Sequence, residues 1–290
     1  MNFQHDLAQI AYEELTQAGI TVPSSWDDYH ICLNYMEISH RWFDSSIPYY
    51  VIYSKELLQK LPTLSLEEQK AIKDIEWCLG HCQTITPYMS RLIKDTSMRK
   101  SDFLLKNWDI YHLHLEKLTP PLMNFTKENL LFFQVKGQVA HFIDVKKHPR
   151  ANSWFDRGLL EIIYNNWPYL LRYLHGVKPT AQIPDNEVHN ALKSMVCILD
   201  FHGGALIPTN MGVATSGNSS MAVRETDRLF NMLRAAEKNL LDNENSIKKE
   251  IFAATGLKCE NPHYQLITED GFFVAYEKAT HAKIKLFAIK

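Results

Sequence analysis

From Asp109 to Glu116 the chain alternates. Asp109, Tyr111, Leu113 and Leu115 share one parity; Ile110, His112, His114 and Glu116 share the other. Period two specifies a β-strand with two different faces. Two short apolar runs follow, residues 130–135 and 139–145, on either side of Gly137. They read as a second and third strand joined by the link Lys136-Gly137-Gln138, with Gly at the left-handed position of a three-residue hairpin loop. In that register Val135 faces Val139, Phe133 faces His141 and Leu131 faces Ile143. A two-residue link would instead set apolar against polar residues at every step. A slip of one residue turns every side chain to the opposite face, so the register carries the argument.

The flanking segments have a different period. Leu7, Ile10, Ala11, Glu14 and Leu15 follow helical spacing, with Gly19 as the stop. Residues 26–43 form a second apolar-rich stretch. Ser65-x-x-Glu68 is a capping box that opens a helix running towards Cys82, and Pro87 precedes another short one. Residues 157–173 read as helical, interrupted by Asn165-Asn166-Trp167-Pro168. Residues 176–184 read as a linker, and the apolar run 188–201 fits either a helix or a strand. Residues 222–240 form a helix with Leu229, Leu233, Ala236 and Leu240 on one stripe. The tail alternates again, turning at Glu269-Asp270-Gly271. The predicted fold class is α+β: a helical part at 1–106, a central antiparallel sheet at 107–175, and a helix plus β-hairpin part at 176–290.

Composition narrows the class. Apolar residues make up 46% of the chain, enough for a sizeable core. No apolar run approaches the ~18 residues of a membrane span, and the N-terminus lacks a basic-then-apolar signal pattern. A cytoplasmic protein with no membrane partner is expected. Five Cys, an odd number, argue against a disulfide framework. Cys78, His81 and Cys82 would need a fourth ligand to hold zinc and read as a half-buried helix face. The stretch from Gly212 to Ser219 has the outline of a phosphate loop, but Asn218 stands where the Lys is required. It reads as a loop with a helix cap at Ser219 or Ser220.

Chemistry is expected on the central sheet. Four of the 13 His residues, His112, His114, His141 and His148, fall within 37 positions. Parity sorts them. His112 and His114 turn away from the apolar face, as do Gln134 and Lys136, and as do Asp144, Lys146 and His148; His141 points inward. From Lys94 to Arg150 the balance is ten basic to six acidic residues; elsewhere it is 21 to 27. A basic sheet surface with several imidazoles suits metal-independent phosphodiester cleavage. One His takes a proton from a ribose 2′-hydroxyl, another gives one to the leaving oxygen, and lysines hold the phosphorane charge. The catalytic candidates are therefore His112, His114, His148, Lys146 and Asp144. Lys136, Gln134 and Trp108 are the candidates for binding RNA, Trp108 by stacking. No cofactor is called for. Two alternatives share these residues. In one, His112, His114, Asp144 and His148 hold a metal that activates water. In the other, the polar face is a non-catalytic surface for a protein partner or a second copy of the chain.

The residues Ser101-Asp102-Phe103-Leu104-Leu105, Asn107-Trp108, Ile110 and His112-Leu113-His114-Leu115 continue into Leu130-Leu131-Phe132, Phe142-Ile143-Asp144-Val145, His148 and Asn166-Trp167-Pro168. This pattern resembles a family of uncharacterised bacterial proteins, a resemblance that implies no activity. At the level of fold, helices followed by three antiparallel strands with His and basic groups on one face are similar to RelE-like ribonuclease toxins. That similarity implies RNA cleavage without a metal, in bacterial toxin or phage-defence biology, with His112, His114, Lys146 and His148 at the site.

Overall fold

The computed structural model describes residues 1–90, 102–117, 125, 128–147, 156–179, 183, 184, 187, 188, 190, 191, 198–210 and 212–289. The fold class is α+β. The chain forms two compact units, Met1–Glu37 with Ala222–Lys290, and Ile38–Met221.

The unit at 38–221 is built on a four-stranded sheet in the order β1-β4-β3-β2, from β1 (Tyr50–Tyr53), β2 (Ile110–His114), β3 (Asn129–Lys136) and β4 (Val139–Lys147). β2, β3 and β4 are antiparallel, whereas β1 adds to β4 in parallel. β1 lies in the stretch expected to be helical; four residues, Tyr-Val-Ile-Tyr, are too few for a period to emerge.

The predicted hairpin register is corrected. The turn is two residues, Gly137-Gln138, with Lys136 opposite Val139, Gln134 opposite His141 and Phe133 opposite Phe142. Gly137 has φ +58°, the left-handed first position of a type II′ turn. Apolar does not then meet polar: Val135 pairs with Ala140 and Phe133 with Phe142, while Gln134 meets His141. Beyond these pairs the ladder contains a bulge. After the Phe133–Phe142 pair, Phe132 pairs with Asp144, leaving Ile143 as the extra residue. The parity of β4 changes there, and Leu131 regains an apolar partner in Val145.

Both faces of the sheet are apolar, since Leu130 and Phe132 alternate with Leu131 and Phe133 along β3. Leu113, Leu131, Phe133, Phe142 and Val145 enter one core with α3 (Lys55–Lys60) and α4 (Leu66–Gly80). Ile110, Leu130, Phe132 and Ile143 enter a second core with α5 (Phe103–Trp108) and α6 (Arg157–Asn166). α4 begins with the predicted capping box: Ser65 accepts from the Glu68 N–H, and the Glu68 carboxylate accepts from Ser65 N–H at 2.9 Å. α6 is followed by a short 3-10 turn, Pro168–Leu170, and by a small sheet, β5-β7-β6, from β5 (Arg172–Leu174), β6 (Leu199–Phe201) and β7 (Gly204–Ile207).

The other unit contains α1 (Phe3–Gln17), most of α2 (Asp28–Ser39), the long α7 (Ser220–Asp242), α8 (Glu244–Thr255) and a meander, β8 (Tyr264–Glu269), β9 (Phe272–Glu277) and β10 (Lys283–Ala288). α7 starts two residues before the predicted helix and buries Leu233 and Leu240 of its expected stripe. Asp270 and Gly271 are both left-handed, the type I′ turn that the sequence pattern indicates. α1 is tied in by the Phe3 N–H, which donates to Glu237 at 2.5 Å, and by Asp6, which accepts from Leu266 N–H at 2.8 Å.

Glu277 organises the last turn of this unit. Its buried carboxylate accepts from the N–H groups of His263 (3.0 Å), Ala279 (3.0 Å) and Thr280 (2.7 Å), and from the Thr280 hydroxyl (2.8 Å). Burial opposes ionisation, but these donors outweigh it and hold the carboxyl below its ordinary 4.5. A lowered carboxyl stabilises the fold above 4.5, and the contribution is lost as pH falls through the folded value. Glu277→Gln is therefore expected to destabilise this unit by about 2 kcal/mol at pH 7. Urea melts of both proteins should show the gap closing as pH drops below 4.5; a gap independent of pH would contradict this account.

Candidate active site

The sheet face expected to be solvated is the one that packs into the second core. Cross-strand pairing puts His112 with Phe132, His114 with Leu130, and Lys146 with Leu130 on that face. His141 and Gln134 lie there as well, so His141 is buried as expected but not on the face opposite His112.

Most of the polar groups on this face have a partner in the fold. His112 Nδ1 is 3.1 Å from Asp102 at the N-cap of α5, with side chains 9% and 23% exposed. His114 stacks on Phe125, with centroids 3.6 Å apart. Asp144 is buried; its Oδ1 accepts from Lys60 Nζ at 2.6 Å and from the Val145 N–H at 2.8 Å. Gln134 Nε2 donates to the Trp108 carbonyl at 3.2 Å, and Trp108 itself is core rather than a stacking platform. Lys136 is exposed at the hairpin turn. His148 lies outside the described residues. Lys146 reaches the start of α6, where its Nζ is 2.7 Å from Asp156. Gly158 makes that possible: a Cβ there would stand 3.0 Å from both Lys146 Nζ and Asp156 Oδ1.

An open groove begins one residue from Asp156. On α6, Arg157, Glu161 and Tyr164 are spaced i, i+4, i+7 and fall on one stripe, while Leu159, Leu160 and Ile163 bury the other side. Facing this stripe is the β6–β7 hairpin, whose turn is His202-Gly203, with φ +51° and +74°. A type I′ turn favours Asn, Asp or Gly at its first position, so His stands there at a conformational cost. Its ring is held on three sides. It stacks on Tyr164 (centroids 3.9 Å apart, planes at 6°), meets Phe201 edge-on at 4.8 Å, and places Nε2 2.7 Å from Glu161 Oε2. Arg157 Nη1 donates to the Asp200 carbonyl at 3.2 Å and its guanidinium lies 5.9 Å from the Phe201 ring centre. Gly204 permits the close packing below, since a Cβ there would come within 2.8 Å of the Tyr173 ring. Arg157, Glu161, Phe201 and His202, together with Ile183 and Pro184, line a cavity of about 670 Å³.

His202 and Glu161 are 39% and 40% exposed. A pair so exposed contributes about 1 kcal/mol at most, so stability gives little reason for holding the imidazole this firmly. With Nε2 committed to Glu161, Nδ1 is the nitrogen left for proton transfer. Sequence reasoning missed Arg157, Glu161 and His202. The signals were present as Arg157-x-x-x-Glu161-x-x-Tyr164 on a helix and as a His-Gly dipeptide between apolar runs, but 188–201 could not be resolved into a strand.

Among the described residues no group of three or more His, Cys, Asp or Glu is arranged to hold a metal ion. Cys78 is buried on α4, Cys82 is exposed, and His81 stacks on Trp77 with centroids 4.6 Å apart. No helix of the described residues is long and apolar enough to cross a membrane. No family model, curated protein or solved structure matches the chain.

The Asp102–His112 pair has a measurable consequence. Burial disfavours both charges, yet it is outweighed: Asp102 holds His112 above its ordinary 6.5, and His112, with the Leu105 N–H and Arg41, holds Asp102 below its ordinary 3.8. The Asp102 contribution is present above 3.8 and lost as pH falls through its folded value. The His112 contribution is present below 6.5 and lost as pH rises through its folded value. The pair therefore stabilises most between these pH values. His112→Ala should lower stability by about 3 kcal/mol, contrary to the expectation for a solvated strand position. The loss, followed by thermal melts from pH 3 to 9, should be greatest in that window.

Proposed function

We propose that the unit at 38–221 is a metal-independent phosphodiesterase of ribonuclease type, and that its site is the groove between α6 and the β6–β7 hairpin. The observation that carries this reading is the His202–Glu161 pair at 2.7 Å, set beside Arg157 in an open cavity. A positioned base, a carboxylate that orients it and a fixed cation are the parts the reaction needs.

On this reading a ribose 2′-hydroxyl gives its proton to Nδ1 of His202 as its oxygen attacks the adjacent phosphorus. The bond from phosphorus to the 5′-oxygen breaks, and that oxygen takes a proton from water. Glu161 keeps the ring oriented and stabilises the imidazolium as it forms. Arg157 bears on the non-bridging phosphate oxygens, where charge accumulates. Lys146 pairs with Asp156, the residue before Arg157, and so cancels a carboxylate that would oppose phosphate binding. The partner is RNA, and the protein works in the cytoplasm.

Incubation of the pure protein with total RNA, with and without EDTA, tests the reading. Cleavage should survive the chelator. His202→Ala should lower the rate by about 10²-fold or more, and Arg157→Ala by a similar factor. Neither change should shift the melting temperature by more than the small contribution of an exposed pair. Cleavage that requires added metal, or that persists in His202→Ala, would sink the proposal. If RNA is left intact under every condition, the groove is a binding site for another partner.

A further inference from the structure

Immediately after α6, the 3-10 turn Pro168–Leu170 carries Tyr169, a residue 60% exposed. Its phenol oxygen nevertheless lies 2.8 Å from Nε2 of His141, which is buried in the middle of β4. On the other side of the ring, Nδ1 of His141 lies 3.3 Å from the backbone carbonyl oxygen of Gln134, its cross-strand partner. A carbonyl oxygen only accepts, so Nδ1 carries the proton and Nε2 presents its lone pair. The phenol must therefore donate to Nε2. Trp167 meets the imidazole edge-on at 5.0 Å and limits its rotation. Desolvation also disfavours the imidazolium and keeps the ring below its ordinary 6.5, as a base.

The chain of contacts from Gln134 carbonyl to His141 to Tyr169 has the parts of an activated nucleophile: a hydroxyl, a neutral base in hydrogen-bond reach, and a third group that orients the base. It uses none of the residues of the groove. We propose that Tyr169 is a nucleophile towards tetrahedral phosphorus(V) centres that bear a good leaving group. In the step, the bond from Tyr169 Oη to phosphorus forms and the bond from phosphorus to the leaving group breaks. The leaving group departs with the electron pair, and the phenolic proton passes to Nε2 of His141. The co-reactant is a phosphoryl donor, and the product is an aryl phosphate ester on Tyr169.

A fluorophosphonate serves as the probe, with fluoride as the leaving group. Intact protein is treated with it at pH 7.5, and labelling at each tyrosine is followed in time by tandem mass spectrometry. Exposure alone would favour Tyr50, which is 77% exposed on the edge strand. General-base assistance should instead make Tyr169 react on the order of 10²-fold faster than Tyr50. His141→Gln should bring Tyr169 down to the rate of Tyr50 and leave Tyr50 unchanged. If that variant does not fold, the ratio of the two rates in the native protein decides. Equal rates, or no label on Tyr169, overturn the proposal.

Discussion

The two apolar faces of the central sheet govern the unit at 38–221: β3 puts Leu130 and Phe132 on one side and Leu131 and Phe133 on the other. With Ile143 unpaired, β4 presents Phe142 to one side and Ile143 to the other, and its parity shifts before Val145. Apolar residues on both sides of the sheet then require a covering layer on each side. α3 and α4 supply one, and α5 and α6 supply the other. The α6 layer brings Arg157 and Glu161 opposite the β6–β7 hairpin. The groove thus follows from how the sheet is covered, not from the sheet itself.

Covering both faces has a cost for polar side chains caught beneath. A buried donor or acceptor left unmade costs about 1–3 kcal/mol, and a buried unpaired charge costs more. Most polar groups described on the inner face have an answer to this, although the Gln134 side-chain oxygen is left without a partner among the described residues. Asp144 takes Lys60, His112 takes Asp102, Gln134 takes the Trp108 carbonyl, and His141 takes Tyr169. These contacts fix α3, α5 and the turn after α6 to particular strands, so the polar set supports the geometry of the groove while remaining outside it. His141 differs from the others in that its partner is exposed to solvent.

The elements legible beforehand were those with local causes. The capping box at Ser65 and Glu68, the stripe of α7, the Asp270-Gly271 turn and the period-two stretch around His112 and His114 depend on residues close in sequence. The run Leu130-Leu131-Phe132-Phe133 also carried a warning. Four consecutive large apolar residues leave a strand no polar face, which is the pattern of a strand buried on both sides. Reading it as a half-solvated strand put His112, His114 and Asp144 in water, whereas they are enclosed.

Residue pattern alone was enough for the α+β class, the three antiparallel strands, and the side each of His112, His114, Gln134 and Lys146 takes relative to Leu113 and Leu131; it put His141 on the wrong face, and His141 is buried because both faces are covered. Tertiary structure alone decided three things. The two-residue turn at Gly137-Gln138 and the bulge at Ile143 together set the register, and a one-residue irregularity stabilised by packing on both faces leaves no local signature. The parallel partner of β4 came from 89 positions earlier in the chain, Tyr50 pairing with Val139; no periodicity reports such a pairing. The meeting of Arg157, Glu161 and His202 depends on a helix and a hairpin more than 30 positions apart. Propensity and parity act over a few residues, whereas a groove exists only where two packed elements leave space between them.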